Sequence, residues 1–196
     1  NEVGCQIHKL FGKYPKLDTF DFVILSGGSN FSVVAAPEVF RQEFELIKGS
    51  NKPILGICEG CEIIAFAYGA YLEFLPYRKR GISKVSILKK DPVFENVKDF
   101  SVYENHRWVV KNLGENLEGL AKSRNGYEVI KHKQKQIYGL QFHPEMFVDS
   151  SVGVDIFLSF LKLTGARWYN LIDAAFNLSC KSMGDLSGYS LPLSSS

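Results

Sequence analysis

The feature that most limits the fold of this chain is a pair of short apolar runs that stop at small or turn-forming residues. The first is Phe22-Val23-Ile24-Leu25 before Ser26-Gly27-Gly28, and the second is Pro53-Ile54-Leu55-Gly56-Ile57 before Cys58-Glu59-Gly60. Apolar runs without alternation read as strands buried on both faces, the habit of parallel sheets. Between them, residues 37–48 place Val39, Phe40, Phe44 and Ile47 at helical spacing, with Pro37 suited to a first turn. After Cys58, residues 62–75 read as a buried helix that continues past Gly69. Strand, helix, strand, helix implies a parallel sheet covered on both faces. The expected fold class is α/β, a three-layer αβα domain whose sheet is mostly parallel with a small antiparallel patch.

The pattern changes after Ile82. Residues 82–88, 101–110, 117–123, 126–133 and 136–143 are strand candidates with little helix between them, and Asn125-Gly126 is a turn signal. Val154, Phe157, Leu158 and Leu161 then form a helical face that Thr164-Gly165 ends. Trp168, Leu171, Ile172, Ala175 and Phe176 repeat the helical spacing, and a Ser- and Gly-rich tail follows. The expected domains are residues 1–165 and a C-terminal helix and tail, residues 166–196.

Composition excludes several function classes. With 196 residues, 45% apolar and 22% charged, the chain is an ordinary globular one. Its net charge of +2 lacks the basic excess of a nucleic-acid binder, and Arg78-Lys79-Arg80 alone reads as a solvated loop. No apolar run approaches the ~20 residues that span a bilayer, and the residues after Asn1 lack the pattern of a signal peptide. Four cysteines are too few for a disulfide scaffold and point to a reducing cytoplasm. Neither nucleic acid nor membrane is expected as a partner.

Cys58 stands where a buried strand gives way to a helix. An elbow there pushes the side chain out at the sheet's carboxyl edge, and Gly56 and Gly60 permit the sharp turn. The helix N-terminus favours a thiolate, and the Glu59 backbone N–H is placed to receive an oxyanion. A buried structural cysteine is the plainer alternative. Cys58-Glu59-Gly60-Cys61 could also be a redox pair, and Cys58, Cys61, His106 and His143 could ligate zinc, although nothing in their spacing asks for it. A second motif favours nucleophilic chemistry. Gln141-Phe142-His143-Pro144-Glu145 ends another apolar run, with a histidine that can take a thiol proton and a carboxylate that can orient it.

Together with Val102-Tyr103-Glu104-Asn105-His106 and Glu118-Gly119-Leu120-Ala121-Lys122-Ser123, these motifs resemble the class I glutamine amidotransferases over residues 20–163. Within them the likeness is greatest to the glutaminase part of GMP synthetase. The resemblance implies a Cys58-His143-Glu145 triad acting on glutamine or another γ-glutamyl compound, with no cofactor and no metal. It implies an oxyanion and substrate pocket from Gly27, Gly28, Glu59, residue 62 and His106, and ammonia delivered to a separate ATP-dependent synthetase subunit. No nucleotide-binding G-x-x-x-x-G-K-[ST] loop is present.

Two departures qualify this. Where the family usually has Gln, this chain has Glu62, a charge that disfavours a nearby thiolate. Glu62 needs a donor or cation, for which Arg78, Lys79, Arg80, Arg107 and a substrate's α-ammonium are the candidates. It could also select a γ-glutamyl hydrolase or peptidase substrate, or mark a catalytically altered homologue. The second departure is at the start, where residues 4–10 read as the family's second strand and the usual first strand and helix have no counterpart.

Overall fold

The computed structural model describes residues 6–7, 16–28, 31–95, 97–146 and 152–165. All of these but Gln6 fall in one compact unit, Ile7–Ala166. The strand expected over residues 4–10, save Gln6 and Ile7, and the helix and tail expected over 166–196 lie outside the described residues.

Parallel pairing is confined to one end of the sheet. β1 (Val23–Leu25) runs beside β2 (Ile54–Ile57), and β2 beside β7 (Ile137–Leu140). Every residue of β2 is buried, as its unbroken apolar run requires. The crossover from β1 to β2 contains a 3-10 turn, Pro37–Phe40, that leads into α1 (Arg41–Gly49). Beyond this end, β3 (Tyr71–Ile87), β4 (Phe100–Asn112), β5 (Leu117–Lys122) and β6 (Tyr127–His132) pair antiparallel, and β6 joins β7 in the same sense. The sheet order is β1-β2-β7-β6-β4-β3-β5.

The sheet is therefore mixed, and the expectation of a mostly parallel one is corrected: two pairings are parallel and five antiparallel among the described residues. Parallel neighbours need a crossover, and no α-helix separates β3 from β4, β5, β6 or β7. Turns join some of them instead. At Asn125-Gly126, Ser123 N–H donates to the Gly126 carbonyl at 3.0 Å.

A second correction concerns the helix after Cys58. α2 (Glu59–Ala67) stops before Gly69. Gly69 takes φ +78°, its N–H donates to Phe66 O at 3.0 Å, and Ala70 N–H donates to Ala65 O at 2.9 Å. This pair of bonds closes a helix with a left-handed glycine, and Tyr71 already belongs to β3.

Successive residues of β7 face opposite ways. Ile137 joins the cluster of Ile47, Ile54, Ile63, Ile64 and Ile130 that α1 and α2 cover, whereas the Tyr138 ring meets Phe160 of α3 (Gly153–Leu163) at 5.8 Å. No helix among the described residues is long and apolar enough to cross a membrane.

The junction of β1, β2 and α2 is packed through glycine. A β-carbon on Gly60 would strike the Leu25 carbonyl, and one on Gly56 would strike the Gly60 backbone. Gly60→Ala is expected to cost about 2 kcal/mol or more, because backbone rather than a flexible side chain must move. Gly49→Ala, with nothing within 4 Å, is expected to be neutral or slightly stabilising. Urea unfolding of both variants checks this, and equal midpoints would contradict it.

Candidate active site

β2 delivers Cys58 into the turn that starts α2. The residue adopts φ 52° and ψ −108°, the one positive-φ residue other than glycine among those described. Its N–H donates to Leu140 O at 2.8 Å, continuing the β2–β7 pairing, and its carbonyl accepts from Glu62 N–H at 3.1 Å as the first bond of the helix. Cys58 thus ends a strand and caps a helix at once. Its thiol is buried, and burial pushes its pKa up, with the negative charge of Glu62 adding to the effect. The Glu59 backbone N–H is directed at the sulfur and acts the other way.

His143 follows β7 by three residues. Its N–H donates to Tyr103 O of β4 at 2.9 Å, and a turn closed by Met146 N–H on His143 O (3.2 Å) folds Glu145 back onto the ring. Glu145 Oε1 lies 2.6 Å from His143 Nδ1, while the buried Nε2 has no hydrogen-bond partner. A β-carbon on Gly27 would lie 3.4 Å from both Cys58 Cβ and His143 Cε1, so both residues lie against this glycine. A β-carbon on Gly28 would run into the Glu59 carboxyl. Burial, with Glu43 nearby, pushes that carboxyl up to about 7.

Glu62 is buried on the first turns of α2, and its partner is Gln141, whose Nε2 donates to Glu62 Oε1 at 3.0 Å. The four basic side chains considered as partners are engaged elsewhere. Arg78 donates to Asn105 Oδ1 (3.1 Å) and Arg80 to the Tyr103 hydroxyl (3.4 Å). Arg107 lies over the Phe74 ring, and Lys79 pairs with Glu104 and Glu128. Burial pushes the Glu62 carboxyl up to about 7, against the opposing pull of the Gln141 bond and of His106.

His106 is engaged inside the protein, with Nδ1 on Trp108 O (2.8 Å) and Nε2 on Glu104 Oε2 (3.1 Å). With Lys79, Glu104, Glu128 and Ser123 it forms a buried polar cluster. Burial raises the Glu104 carboxyl, but hydrogen bonds from His106 and Lys79 more than reverse that and hold it low. Glu128 is pushed up by burial and by the Glu104 charge. Glu104, His106 and Glu128 bring possible metal-ligating atoms within 4.8 Å of one another, yet the Lys79 ammonium already supplies a cation to both carboxylates. Cys58 and Cys61 are free thiols, and Cys61 Sγ packs against Gly139 on β7. Reading residue by residue misses the Gln141 amide and the Lys79 cluster. The only signal for either is a polar residue at an inward-facing strand position.

Cys58 on the turn between β2 and α2, with a histidine held by Glu145 just beyond the neighbouring β7, is an arrangement suited to thiol chemistry on an α/β sheet. The family model for Glutamine amidotransferase class-I matches residues 3–162, and the chain belongs to that enzyme family. It is 34% identical over 148 residues to a subunit of GMP synthase [glutamine-hydrolyzing] from Methanocaldococcus jannaschii, covering 74% of this chain and 75% of that one. It is 37% identical over 142 residues to GMP synthase [glutamine-hydrolyzing] of Brachyspira hyodysenteriae, covering 71% of this chain but 27% of that longer protein. A crystal structure of a putative GMP synthase subunit from Thermoplasma acidophilum superposes with TM-score 0.67 at 31% identity, over 81% of this chain and 78% of that one.

Glu59 and Glu62 give stability a pH dependence of definite sign. Between the ordinary 4.5 and about 7 the folded state keeps protons that the unfolded chain releases, so stability falls as pH rises through this window. Glu62→Gln removes one of the two contributions, expected to be at most about 3 kcal/mol. Its unfolding free energy should decline less than that of wild type between pH 4.5 and 8. Parallel declines in denaturant titrations would contradict this.

Proposed function

We propose that the protein hydrolyses the side-chain amide of glutamine through Cys58, His143 and Glu145 and passes the ammonia to a separate ATP-dependent synthetase subunit. The observation that carries this reading is the free, buried Nε2 of His143, with Glu145 on the opposite nitrogen and both His143 and Cys58 lying against Gly27. Burial keeps the resting thiol protonated, so the reaction needs a base rather than a standing thiolate. His143 Nε2 accepts the Cys58 proton as sulfur attacks the amide carbon, and Glu145 stabilises the imidazolium that forms. The oxyanion is received by the backbone N–H groups of Gly28 and Glu59. His143 returns its proton to the departing nitrogen and ammonia leaves. Water, deprotonated by the same imidazole, then splits the thioester into glutamate and free Cys58.

The relatives named as GMP synthase subunits support the synthetase as ammonia acceptor. The opposed faces of Ile137 and Tyr138 support a three-layer arrangement, and the family match over residues 3–162 supports residues 1–165 as the amidotransferase domain. A nucleophile that must remain a free thiol suits the cytoplasm. One observation favours a second reading, a γ-glutamyl hydrolase or peptidase: Glu62 stands beside the nucleophile and is held there by Gln141.

Ammonia release from glutamine tests the reading. Cys58→Ser is expected to lower kcat by about a thousandfold or more with the fold intact, and wild-type rates in that variant would overturn the triad. Glu62→Gln removes the charge that opposes thiolate formation, so kcat/KM on glutamine should rise. A fall on γ-glutamyl peptides with no gain on glutamine would favour the hydrolase.

A further inference from the structure

Glu62 and Gln141 occupy the two halves of the site. Glu62 is four residues after Cys58, and its N–H is bonded to the Cys58 carbonyl. Gln141 is two residues before His143, and its N–H is bonded to Glu128 O of β6 at 2.9 Å. Their side chains meet in the interior, both 5% exposed or less, through the 3.0 Å bond from Gln141 Nε2 to Glu62 Oε1. Of the side-chain hydrogen bonds among the described residues, this one joins the helix that starts at the nucleophile to the strand end that carries the base. Gln141 Oε1 is buried and has no partner.

We propose that Gln141 is a positioning residue for the glutaminase reaction, tethering α2 through Glu62 so that Cys58 stays aligned with His143. The inference rests on the glutaminase reading above and adds a residue to it. One backbone bond already joins the two halves, from Cys58 N–H to Leu140 O at the end of β7, and another fixes His143 to Tyr103. The amide–carboxyl bond supplies a cross-tie between side chains. An amide suits this place because it serves either form of Glu62. Nε2 donates to the carboxylate, and the otherwise unsatisfied Oε1 is an acceptor for a proton on the acid. The groups that face Glu62 are Cys58, Glu59 and Cys61 on its own helix and His106 of β4. None of them replaces the bond that Gln141 makes.

The test separates the bond from the charge. Gln141→Met and Glu62→Met each remove the tether at similar volume. Each is expected to lower kcat on glutamine about tenfold or more, since small misalignments of reacting groups are costly. The double variant should be no slower than the slower single one, because both act through one bond. Glu62→Gln keeps an amide partner for Gln141 and should lose far less kcat than Glu62→Met. Gln141→Glu gives a version that keeps the side-chain shape should the methionine variants fail to fold. Two carboxyls can share a bond only while one holds a proton, so its kcat relative to wild type should fall from pH 5.5 to 8.5. Independent losses that multiply in the double variant, or a Gln141→Glu ratio flat with pH, would overturn the tether. Wild type that releases no ammonia from glutamine would overturn the glutaminase reading and this role with it. Active wild type with unaffected Gln141 variants would overturn the tether alone.

Discussion

A cysteine at φ 52° and ψ −108° is not held there by its own preference. Residues with a β-carbon pay about 1 kcal/mol or more for such geometry, and it persists where the surroundings over-determine it. Here they do so from three sides. The N–H is fixed by Leu140 of β7, the carbonyl by the first bond of α2, and the approach of helix to strand by two glycines without β-carbons to separate them. The rest of the site depends on this turn, because it sets a buried strand-end residue against Gly27, where His143 also lies.

Burial that holds the turn also makes its chemistry difficult. A thiol in this place resists ionisation, and Glu62, Glu59 and Glu145 are all negative influences on it. The offsetting influences are local and directional. The Glu59 N–H points at the sulfur, and the unpartnered Nε2 of His143 is the proposed acceptor of its proton. Glu145 opposes a lone thiolate but favours the imidazolium, so its net effect on a thiolate–imidazolium pair differs from its effect on sulfur alone. This is why the carboxylate belongs on His143 and would be harmful directly beside Cys58. The charge that has no such excuse is Glu62, and its proton affinity near neutrality keeps it only partly ionised at the pH of the cytoplasm proposed for it.

Legibility follows the kind of physics involved. β1, β2, α1 and α3 are local patterns of apolar spacing, and they are readable with small errors at their ends. The elbow and the His143-Pro144-Glu145 turn are equally plain, because strand-end chemistry is written in adjacent residues. The end of α2 is hidden because Gly69 sits inside a continuous apolar stretch, and only the left-handed φ it adopts distinguishes a helix stop from a tolerated helical glycine. Strand direction is hidden because pairing depends on connections between segments rather than on the segments. The partner of Glu62 is unreadable for a similar reason. Gln141 is 79 residues away, and an uncharged amide satisfies a carboxyl for which cations are the natural choice.

The antiparallel half of the sheet bears on the site through register. β3 and β4 pair regularly from Leu72 and Val110 to Phe74 and Trp108, then shift, and resume at Lys79 and His106. Apolar packing alone specifies such a restart poorly, because several registers bury similar area. The cluster of Lys79, Glu104, His106 and Glu128 distinguishes among them. In the observed register the ammonium lies between two carboxylates. A slip of one residue would turn Lys79 to the other face and leave both acids buried without a cation, at a cost of several kcal/mol. Buried ion pairs add little net stability over apolar packing, but they penalise the wrong pairing heavily. That penalty reaches the chemistry directly. The Tyr103 carbonyl that holds His143 lies on β4 between Val102 and Glu104, so the strand that contributes an acid to the lysine cluster also anchors the proposed base.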